Sequence, residues 1–231
     1  LHVHSHYSLL DGMARIDGLV KRAKEFEMPA IALTDHGALY GAVEFYQKCK
    51  KEGVKPIIGV ETYLTSRSRH QKASKEDDER FHLILLAKNT VGYHNLLKLV
   101  SFSYLEGFYY KPRIDFELLE TYREGIIATS ACLNGQISQA ILGNKDPLPI
   151  LNRYRNILGD NFYLEIQHHP NLPDQFTVNK GLIELSRITG VPLVATGDSH
   201  YLVPDDAEAH DVLLCIQTKR ERSDQNRLSM L

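Results

Sequence analysis

Two pairs of residues at opposite ends of the chain have the types and spacing of metal ligands. His2 and His4 are two residues apart, so on an extended strand both imidazoles project from the same face. Asp198 and His200 repeat this spacing with one carboxylate and one imidazole. Both groups are common ligands of Zn²⁺ and other transition metals. The two pairs can converge on one metal ion or on several, so the sequence indicates metal-dependent chemistry.

Length and composition are those of an ordinary globular chain. Of its 231 residues, 43% are hydrophobic and 24% are charged, which is enough apolar material for a full core. No apolar run approaches the ~20 residues of a membrane helix, and no signal-peptide pattern is present. Three scattered cysteines are too few for a disulfide framework, which predicts a reducing, cytoplasmic location. Because the chain does not begin with Met, we expect it to be a piece of a longer polypeptide.

The charge balance narrows the kinds of partner. A formal net charge of −2 excludes a domain that is basic overall and grips nucleic acid with its whole surface. Any attraction for phosphate must therefore come from a local patch or from bound cations. The 11 histidines favour bound cations, because several of them stand beside carboxylates and glycines.

Short β-rich runs alternate with longer stretches of helical period. The predicted strands are 1–4, 30–34, 56–60, 83–87, 126–129, 162–167 and 192–196, and the predicted helices are 16–26, 39–52, 93–105, 136–142, 148–158 and 176–189. This order predicts an α/β fold with parallel strands and crossover helices. A distorted TIM-like barrel is favoured over a doubly wound sheet, because no glycine-rich phosphate loop follows the first strand.

Two segments lie outside this alternation. Residues 67–80 form a highly charged run, which we interpret as a mobile, solvated insertion. Residues 219–231 lack a clear pattern. We therefore expect one domain over 1–218, followed by a linker or the start of another region over 219–231.

Metal-competent residues stand at or just after the ends of most predicted strands. In a β/α barrel these ends share one rim, where functional groups gather. Any one such residue is more often a helix cap or a satisfied polar group, so the prediction depends on their joint placement. His82 is the exception, because it begins its strand, and topology alone predicts a structural role for it. The others are His2, His4, Asp11, Asp35, His36, Glu61, Cys132, His168, His169, Asp198 and His200.

These residues lie in segments that resemble a known family. Segments 2–12, 33–37, 56–61, 82–89 and 197–201 are similar to the polymerase and histidinol phosphatase (PHP) domain. Segments 92–101, 108–115 and 207–218 resemble, more closely, the form of this domain at the N-terminus of bacterial DNA polymerase III alpha subunits. The motifs are short, but their order and spacing over essentially the whole chain make the resemblance specific.

The resemblance implies a (β/α)7 barrel with nine ligands for up to three divalent metal ions. The ligand set suits Zn²⁺ best, with Mn²⁺ or Fe²⁺ acceptable at the oxygen-rich positions. The first metal would carry the catalytic water, and Glu61 would bridge to the second. By position, the three groups are His2, His4, Glu61 and Asp198; Glu61, His82 and Cys132; and Asp11, His36 and His200.

The chemistry that such a site implies is phosphoester hydrolysis. Clustered divalent ions lower the pKa of a bound water to near ~7 and stabilise the leaving oxygen. Three divalent ions would also outweigh the negative charge of their ligands, so the loaded site would attract phosphate. Lys111 and Arg113 could bind phosphate or the DNA backbone, with surface charge as an equally open alternative. His168 could protonate a leaving group or add a ligand.

Five further residues receive lesser roles. His6, Asp35 and His169 are expected to orient the ligands or to lie on the surface. Tyr109 and Tyr110 are expected to pack in the core, with stacking on an unpaired base as the alternative.

Three functions remain open at this point. The leading hypothesis is a metal-dependent phosphoesterase within a replicative DNA polymerase alpha chain, acting as a proofreading 3′→5′ exonuclease. Its partners would be single-stranded DNA at the 3′ primer end, the rest of the alpha chain and other replisome proteins. The second is a metal-stabilised structural module that docks a separate proofreading exonuclease. The third is a small-molecule phosphatase of the histidinol-phosphate type. Polymerisation itself is not expected here, because no palm carboxylate motif is present.

Overall fold

Seven strands form a curled sheet in the computed structural model, which describes residues 1–225 and residue 227. Along the sheet the order is β1-β2-β3-β5-β6-β7, and β4 pairs with β2 beside this path. The strands are β1 (Ala30–Leu33), β2 (Lys55–Leu64), β3 (Phe81–Ala87), β4 (Arg113–Ile114), β5 (Ile126–Thr129), β6 (Phe162–Gln167) and β7 (Leu193–Thr196).

Helices fill most of the connections between these strands. Two of them begin at capping side chains that accept a backbone hydrogen bond, Asn89 from Gly92 and Asp115 from Leu118, each at 2.9 Å. Among the described residues, no helix is long and apolar enough to cross a membrane. The helices are α1 (Ile16–Glu25), α2 (Ala42–Glu52), α3 (Thr90–Leu105), α4 (Phe116–Thr121), α5 (Gln136–Leu142), α6 (Leu148–Leu158), α7 (Pro173–Thr189) and α8 (Ala207–Thr218).

The hydrophobic core lies between the sheet and the helices. Its larger part joins β2, β3, β5 and β6 to α3–α7, and includes Tyr154 and Phe162, whose rings stack with centroids 4.8 Å apart. A second cluster packs α1 and α2 on β1 around the fully buried Ile16 and Phe45. Both clusters leave one rim of the sheet to polar side chains.

One strand runs against the predicted direction. β3 is antiparallel to both of its neighbours, β2 and β5, whereas the other pairs are parallel. The prediction of parallel strands throughout is therefore wrong for β3. A parallel pair needs a crossover connection, and residues 65–80 between β2 and β3 contain only one short 3₁₀ turn. As a result, the first residues of β3 lie at the rim where the neighbouring strands end.

The N-terminal segment closes the sheet. The described structure reduces the predicted strand 1–4 to an isolated β-bridge between Val3 and Ser199. The amide of His4 donates to the Ser199 carbonyl at 2.8 Å, and the amide of Thr34 donates to the Val3 carbonyl at 2.9 Å. Since Thr34 follows β1 and Ser199 follows β7, the segment lies between the two end strands. The expected distorted TIM-like barrel is confirmed, with its seam at the N-terminus.

The charged run 67–80 is anchored to the body of the protein. Arg69 is buried, and its guanidinium donates to Asp115 at 3.0 Å and to Glu106 at 2.7 Å. Arg113 is completely buried and donates to the backbone carbonyls of Arg69, at 3.1 Å, and Asp77. The interpretation as a solvated insertion is wrong for these residues, because buried partners compensate the charges.

The predicted domain boundary falls at the end of α8, which ends at Thr218. Beyond it, Arg222 donates back to Asp211 of α8 at 3.2 Å. Of the predicted linker 219–231, residues 226 and 228–231 lie outside the described residues, and the division at 218 stays a prediction.

Candidate metal centre

The nine predicted ligands come together at one rim of the barrel. Nitrogen and oxygen atoms of eight of them form three overlapping groups, and the atoms of each group lie within 4.8 Å of one another. The ninth, Cys132, places its Sγ atom 3.4 Å from Nδ1 of His82. In the order used below, the groups are His2, His4 and Asp198; His36, Glu61 and His82; and His4, Asp11, His36 and His200.

The first group surrounds one point between the N-terminal segment and β7. The Nε2 atom of His2 lies 3.1 Å from Asp198 Oδ1 and 3.4 Å from Glu61 Oε1. The Nε2 atom of His4 lies 3.4 Å from the same Asp198 oxygen and 3.2 Å from Glu61 Oε2. Two imidazoles and two carboxylates thus face one another, as the resemblance implies for the first metal.

Four of these facing atoms are buried without a hydrogen-bond partner. In the described structure they are Nε2 of His2, Nε2 of His4, Oε2 of Glu61 and Oδ1 of Asp198. Leaving one buried polar atom unsatisfied costs about 1–3 kcal/mol, so four together are rarely tolerated. A divalent cation between them would satisfy all four atoms at once. The residues therefore fit a divalent metal ion, whose identity they leave open between Zn²⁺, Mn²⁺ and Fe²⁺.

The far side of each imidazole is held by another residue. Nδ1 of His2 lies 2.8 Å from Glu165 Oε1, and Nδ1 of His4 lies 2.9 Å from Ser8 Oγ. Ser8 in turn donates to Asp35 Oδ1 at 2.8 Å. Such contacts fix the ring orientation and leave the Nε2 lone pair for a metal. Asp35 is thus placed as an orienting group, acting through Ser8.

The second group combines Glu61, His82 and Cys132. Glu61 Oε1 lies 2.8 Å from His82 Nδ1 and 3.8 Å from Cys132 Sγ. His82 reaches the rim because β3 is antiparallel, which topology with parallel strands could not foresee. Burial raises the pKa of the Cys132 thiol, and the neighbouring Glu61 carboxylate raises it further. Only a bound cation would therefore make Cys132 a thiolate ligand near neutral pH.

The third group is centred on Asp11. Its Oδ2 atom lies 2.9 Å from Nε2 of His36 and 3.1 Å from Nε2 of His200. Burial opposes the charged carboxylate, but hydrogen bonds from both imidazoles outweigh it and hold the pKa of Asp11 well below its usual range. Burial likewise opposes the charged imidazole, yet Glu61 and Asp11 raise the pKa of His36 to about 10. Without metal, the raised pKa values of His36 and His200 favour protonated imidazoles beside the Asp11 carboxylate.

Three of the seven non-glycine residues with positive φ in the described structure lie at or next to these ligands. Asp198 itself has a φ of 46°, and Leu10 and Ala131, which precede Asp11 and Cys132, have φ of 60° and 59°. Left-handed conformations are unfavourable for residues other than glycine and cluster at functional sites, where the surrounding structure enforces them. The strain here aims three ligands into the rim.

Two buried residues that support the ligands escaped prediction. Glu165 lies in the middle of β6 and contacts His2, and His210 of α8 places Nε2 2.8 Å from the Asp11 carbonyl. A carboxylate inside an apolar strand is a detectable signal, since such charges are buried only with a partner. His210 stands in a helix that the periodicity did not predict, and it is covered only by the resemblance of segment 207–218, which gave it no role.

The predicted substrate-binding residues differ in their position relative to the cleft. Lys111 is exposed on the wall of a cleft of about 600 Å³ that leads to the cluster. Arg113 is not in this cleft, and its guanidinium is committed to backbone carbonyls, so the predicted phosphate contact is wrong for it. His168 is exposed and does not line the cleft. A role for Lys111 or His168 in substrate binding stays a prediction.

The prediction that Tyr109 and Tyr110 pack in the core fails most clearly for Tyr110. Its side chain is 68% exposed and lines the cleft, so core packing is wrong for it, while Tyr109 is half-buried beside it. His169 is half-buried, and burial lowers its pKa. The carboxylate of Asp198 opposes this shift, so His169 lies near the cluster. His6 is half-buried, with its ring 4.3 Å from that of Tyr7.

Known proteins are similar to this chain over nearly its whole length. The chain is 52% identical to the DNA polymerase III subunit alpha of Borreliella burgdorferi, covering 100% of this chain and 20% of that protein. It is 49% identical to the DNA polymerase III subunit alpha of Thermus aquaticus, covering 98% and 19%, respectively. The chain therefore spans about a fifth of the length of the curated relatives it matches.

A solved structure resembles the fold, and a family model matches the sequence. A protein of Bifidobacterium adolescentis described as a metal-dependent phosphoesterase matches with a TM-score of 0.55, covering 88% of each chain. At 13% sequence identity this likeness shows the fold alone. The family model described as PHP domain matches residues 1–169, which include seven of the nine converging ligands. This chain belongs to the PHP domain family.

Proposed function

We propose that this chain is the PHP domain of a replicative DNA polymerase III alpha subunit and is itself a metal-dependent phosphoesterase. The polymerase context rests on the whole-length similarity to alpha subunits. The phosphoesterase activity rests on one observation, the buried and unsatisfied ligand atoms of His2, His4, Glu61 and Asp198. We expect Zn²⁺ to fit best, with Mn²⁺ or Fe²⁺ as alternatives.

The residues of the chain have separate roles in the proposed hydrolysis. Bound divalent ions would supply a coordinated water with a pKa near ~7 and a positive charge for the leaving oxygen. Glu165 and Ser8 orient the imidazoles of His2 and His4. Lys111 on the cleft wall supplies a cation for the substrate phosphate.

The proposed substrate is the 3′ end of a DNA strand. Removal of misincorporated nucleotides would make the domain a proofreading 3′→5′ exonuclease beside the polymerase, in the cytoplasm with the other replisome proteins. The cleft supports this choice, because it gives the largely buried cluster an opening to solvent. Asp198, His36 and His82 keep 12%, 19% and 16% side-chain exposure there, while His2 and His4 have none.

The proposal is tested with a primer that carries a 3′ mismatch. The purified chain, loaded with Zn²⁺ or Mn²⁺, should release the terminal nucleotide, and His4→Ala should abolish release. His94→Ala is the matched control, because His94 is exposed on α3, away from the cleft. Absence of release, or release that His4→Ala leaves undiminished, would refute the exonuclease.

A second candidate function is favoured by the seam of the barrel. Residues 1–4 are joined to the sheet through the bridge between Val3 and Ser199, and they carry His2 and His4. Metals held by these imidazoles would tie the segment to Glu61 of β2, which suits a metal-stabilised structural module that docks a separate proofreading exonuclease.

The same preparation discriminates between the candidates. A purely structural module should lose thermal stability and partner binding on chelation, with no hydrolysis to lose. Turnover that disappears on chelation and returns with metal would contradict it. Rapid hydrolysis of small phosphomonoesters with DNA left intact would instead support the third hypothesis, a phosphatase of the histidinol-phosphate type.

A further inference from the structure

Exposed aromatic side chains surround the mouth of the cleft above the metal ligands. We call Tyr40, Tyr104, Phe108 and Tyr110 the aromatic collar, and all four line the same cleft as His36. Tyr40 and Tyr110 are 62% and 68% exposed. Clustered apolar surface of this kind marks a binding site more often than chance exposure. We therefore expect the collar to bind a ligand.

The collar is assembled from separate segments of the chain that line one cleft. Tyr40 lies between β1 and α2, Tyr104 is in the last turn of α3, and Phe108 follows that helix. The rings of Tyr104 and Phe108 are stacked with centroids 6.2 Å apart. Burial raises the pKa of Tyr104, and the neighbouring Tyr40 hydroxyl raises it further, so the two side chains lie close together. The stacking of Tyr104 on Phe108 positions two of the four rings in advance of any ligand.

Tyr110 is presented to solvent by a strained turn. Its φ is 59°, and the amide of Tyr109 donates to the Lys111 carbonyl across it at 3.1 Å. A bulky residue at positive φ is costly and persists where the surroundings enforce it, commonly at functional sites. The turn gains no core packing from Tyr110, because this ring points outward over the cleft.

Two cations line the same cleft as the collar and the metal ligands. Arg80 is held by Asp78, with Nε 3.4 Å from Oδ1, and Lys111 places Nζ 5.5 Å from the ring centre of Tyr63. The Tyr63 ring stacks on the ligand His36 at 5.8 Å. A substrate entering the cleft would therefore meet aromatic rings and cations together with the metal ligands. Proteins that bind single-stranded nucleic acid combine stacking rings with cations for the backbone in this way.

We propose that the aromatic collar binds the unpaired 3′-terminal nucleotides of a single strand by stacking on their bases. This deepens the proposed function and rests on it, since the collar would deliver the terminal phosphodiester to the metal ligands. Arg80 and Lys111 contact the backbone phosphates. In a cleft of about 600 Å³ the ligands keep only partial exposure, which suits the end of a single strand better than a duplex. The collar thus sets the substrate class as a single-stranded 3′ end.

Binding and hydrolysis are measured separately on the 231-residue chain in the presence of Zn²⁺. Fluorescence anisotropy compares a labelled single-stranded oligonucleotide with a blunt duplex of the same sequence. Phe108→Ala and Tyr40→Ala should each weaken single-strand binding by about 5-fold to 100-fold, the usual effect of one stacking ring. Phe176→Ala and Tyr46→Ala are the matched controls, because both rings are exposed outside this cleft, and they should stay within about twofold.

The outcomes separate the collar from the catalytic proposal. Hydrolysis of methyl p-nitrophenyl phosphate, a diester without a base, reports on the metal site alone. If this diester and DNA both resist hydrolysis while collar variants still lose oligonucleotide binding, the phosphoesterase fails and the collar stands. If the diester is hydrolysed but the collar variants bind like the controls, the collar proposal is overturned. Equal affinity for duplex and single strand, or no affinity for either, also overturns it.

Discussion

Glu165 is expected to control metal affinity at His2 without touching a metal. Its buried carboxylate lies 2.8 Å from Nδ1 of His2 and accepts hydrogen bonds from Gln167, also at 2.8 Å, and from the hydroxyls of Thr129 and Thr196. Holding the Nδ1 proton there leaves the Nε2 lone pair for the metal. Glu165→Gln keeps the shape of the side chain and removes its charge.

The expected size of the effect depends on pH. Loss of such a supporting group weakens metal binding by about 10-fold to 100-fold, or ~1.4–2.8 kcal/mol. In the metal-free protein, burial opposes the charge on His2, but Asp198, Glu61 and Glu165 outweigh it and raise its pKa well above 6.5. A metal must displace that proton, so affinity rises with pH. Glu165→Gln should also lower the pKa of His2, so fewer protons compete with the metal for this imidazole at low pH. The loss of metal affinity caused by the substitution should therefore be largest at high pH and smaller at low pH.

Competition titration with a chromophoric chelator at about pH 6 and about pH 9 would measure this difference, since these values span the ordinary range of imidazole titration. Glu52→Gln is the matched control, because Glu52 pairs with Lys24 at 2.8 Å outside the cleft. The reasoning is refuted if Glu165→Gln leaves affinity unchanged, or weakens it equally at both pH values.

Three further predictions concern stability. Chelation should lower the melting temperature by roughly 5–11 °C per site. Metal at 100 times its Kd contributes ~2.7 kcal/mol, and each kcal/mol shifts the melting temperature of a chain of this length by ~2–4 °C. An unchanged calorimetric midpoint would contradict metal binding. In the metal-free protein, the raised pKa of His36 stabilises the fold fully below 6.5, and this contribution is lost as pH rises through about 10. Urea unfolding in chelator should follow that decline, and rising stability over the same range would count against it. Arg113→Met should cost on the order of 3 kcal/mol, because it leaves several buried carbonyls without donors, whereas the exposed control Lys111→Met should cost less than about 0.5 kcal/mol. Equal costs in urea unfolding would refute the structural role of Arg113.

The elements best predicted from the sequence are those with turn residues at their ends. The bounds of β5, β6, α5 and α6 match prediction to the residue, and Gly135, Gly143 and Gly159 flank the two helices. β4 has only two residues, too few for any periodicity, and its position depends on pairing with β2. The direction of β3 was missed because alternation of apolar residues carries no information on strand direction.

The ligand positions were predicted from the ends of the strands. The one ligand that this reasoning misses, His82, is missed because the direction of β3 was unknown. His82 begins β3, so parallel strands would place it at the opposite edge from Glu61, whereas the antiparallel strand brings the two within 2.8 Å. Only the family resemblance included it. The charged run 67–80 was misjudged because its buried partners, Arg113 and Asp115, are distant in sequence. Charge composition alone cannot reveal such pairing.

The geometry of the ligands bears on whether the metals act or only brace the fold. Barrel closure and ligand assembly are coupled, because His2 and His4 lie on the segment that forms the seam, so metal-induced stability is expected from both functions. Structural metal sites are usually closed by their protein ligands, while catalytic sites keep an open position. Here Asp198, His36 and His82 keep partial exposure toward one cleft. A brace needs neither that opening nor an aromatic collar around it, so the arrangement favours a site that admits a substrate.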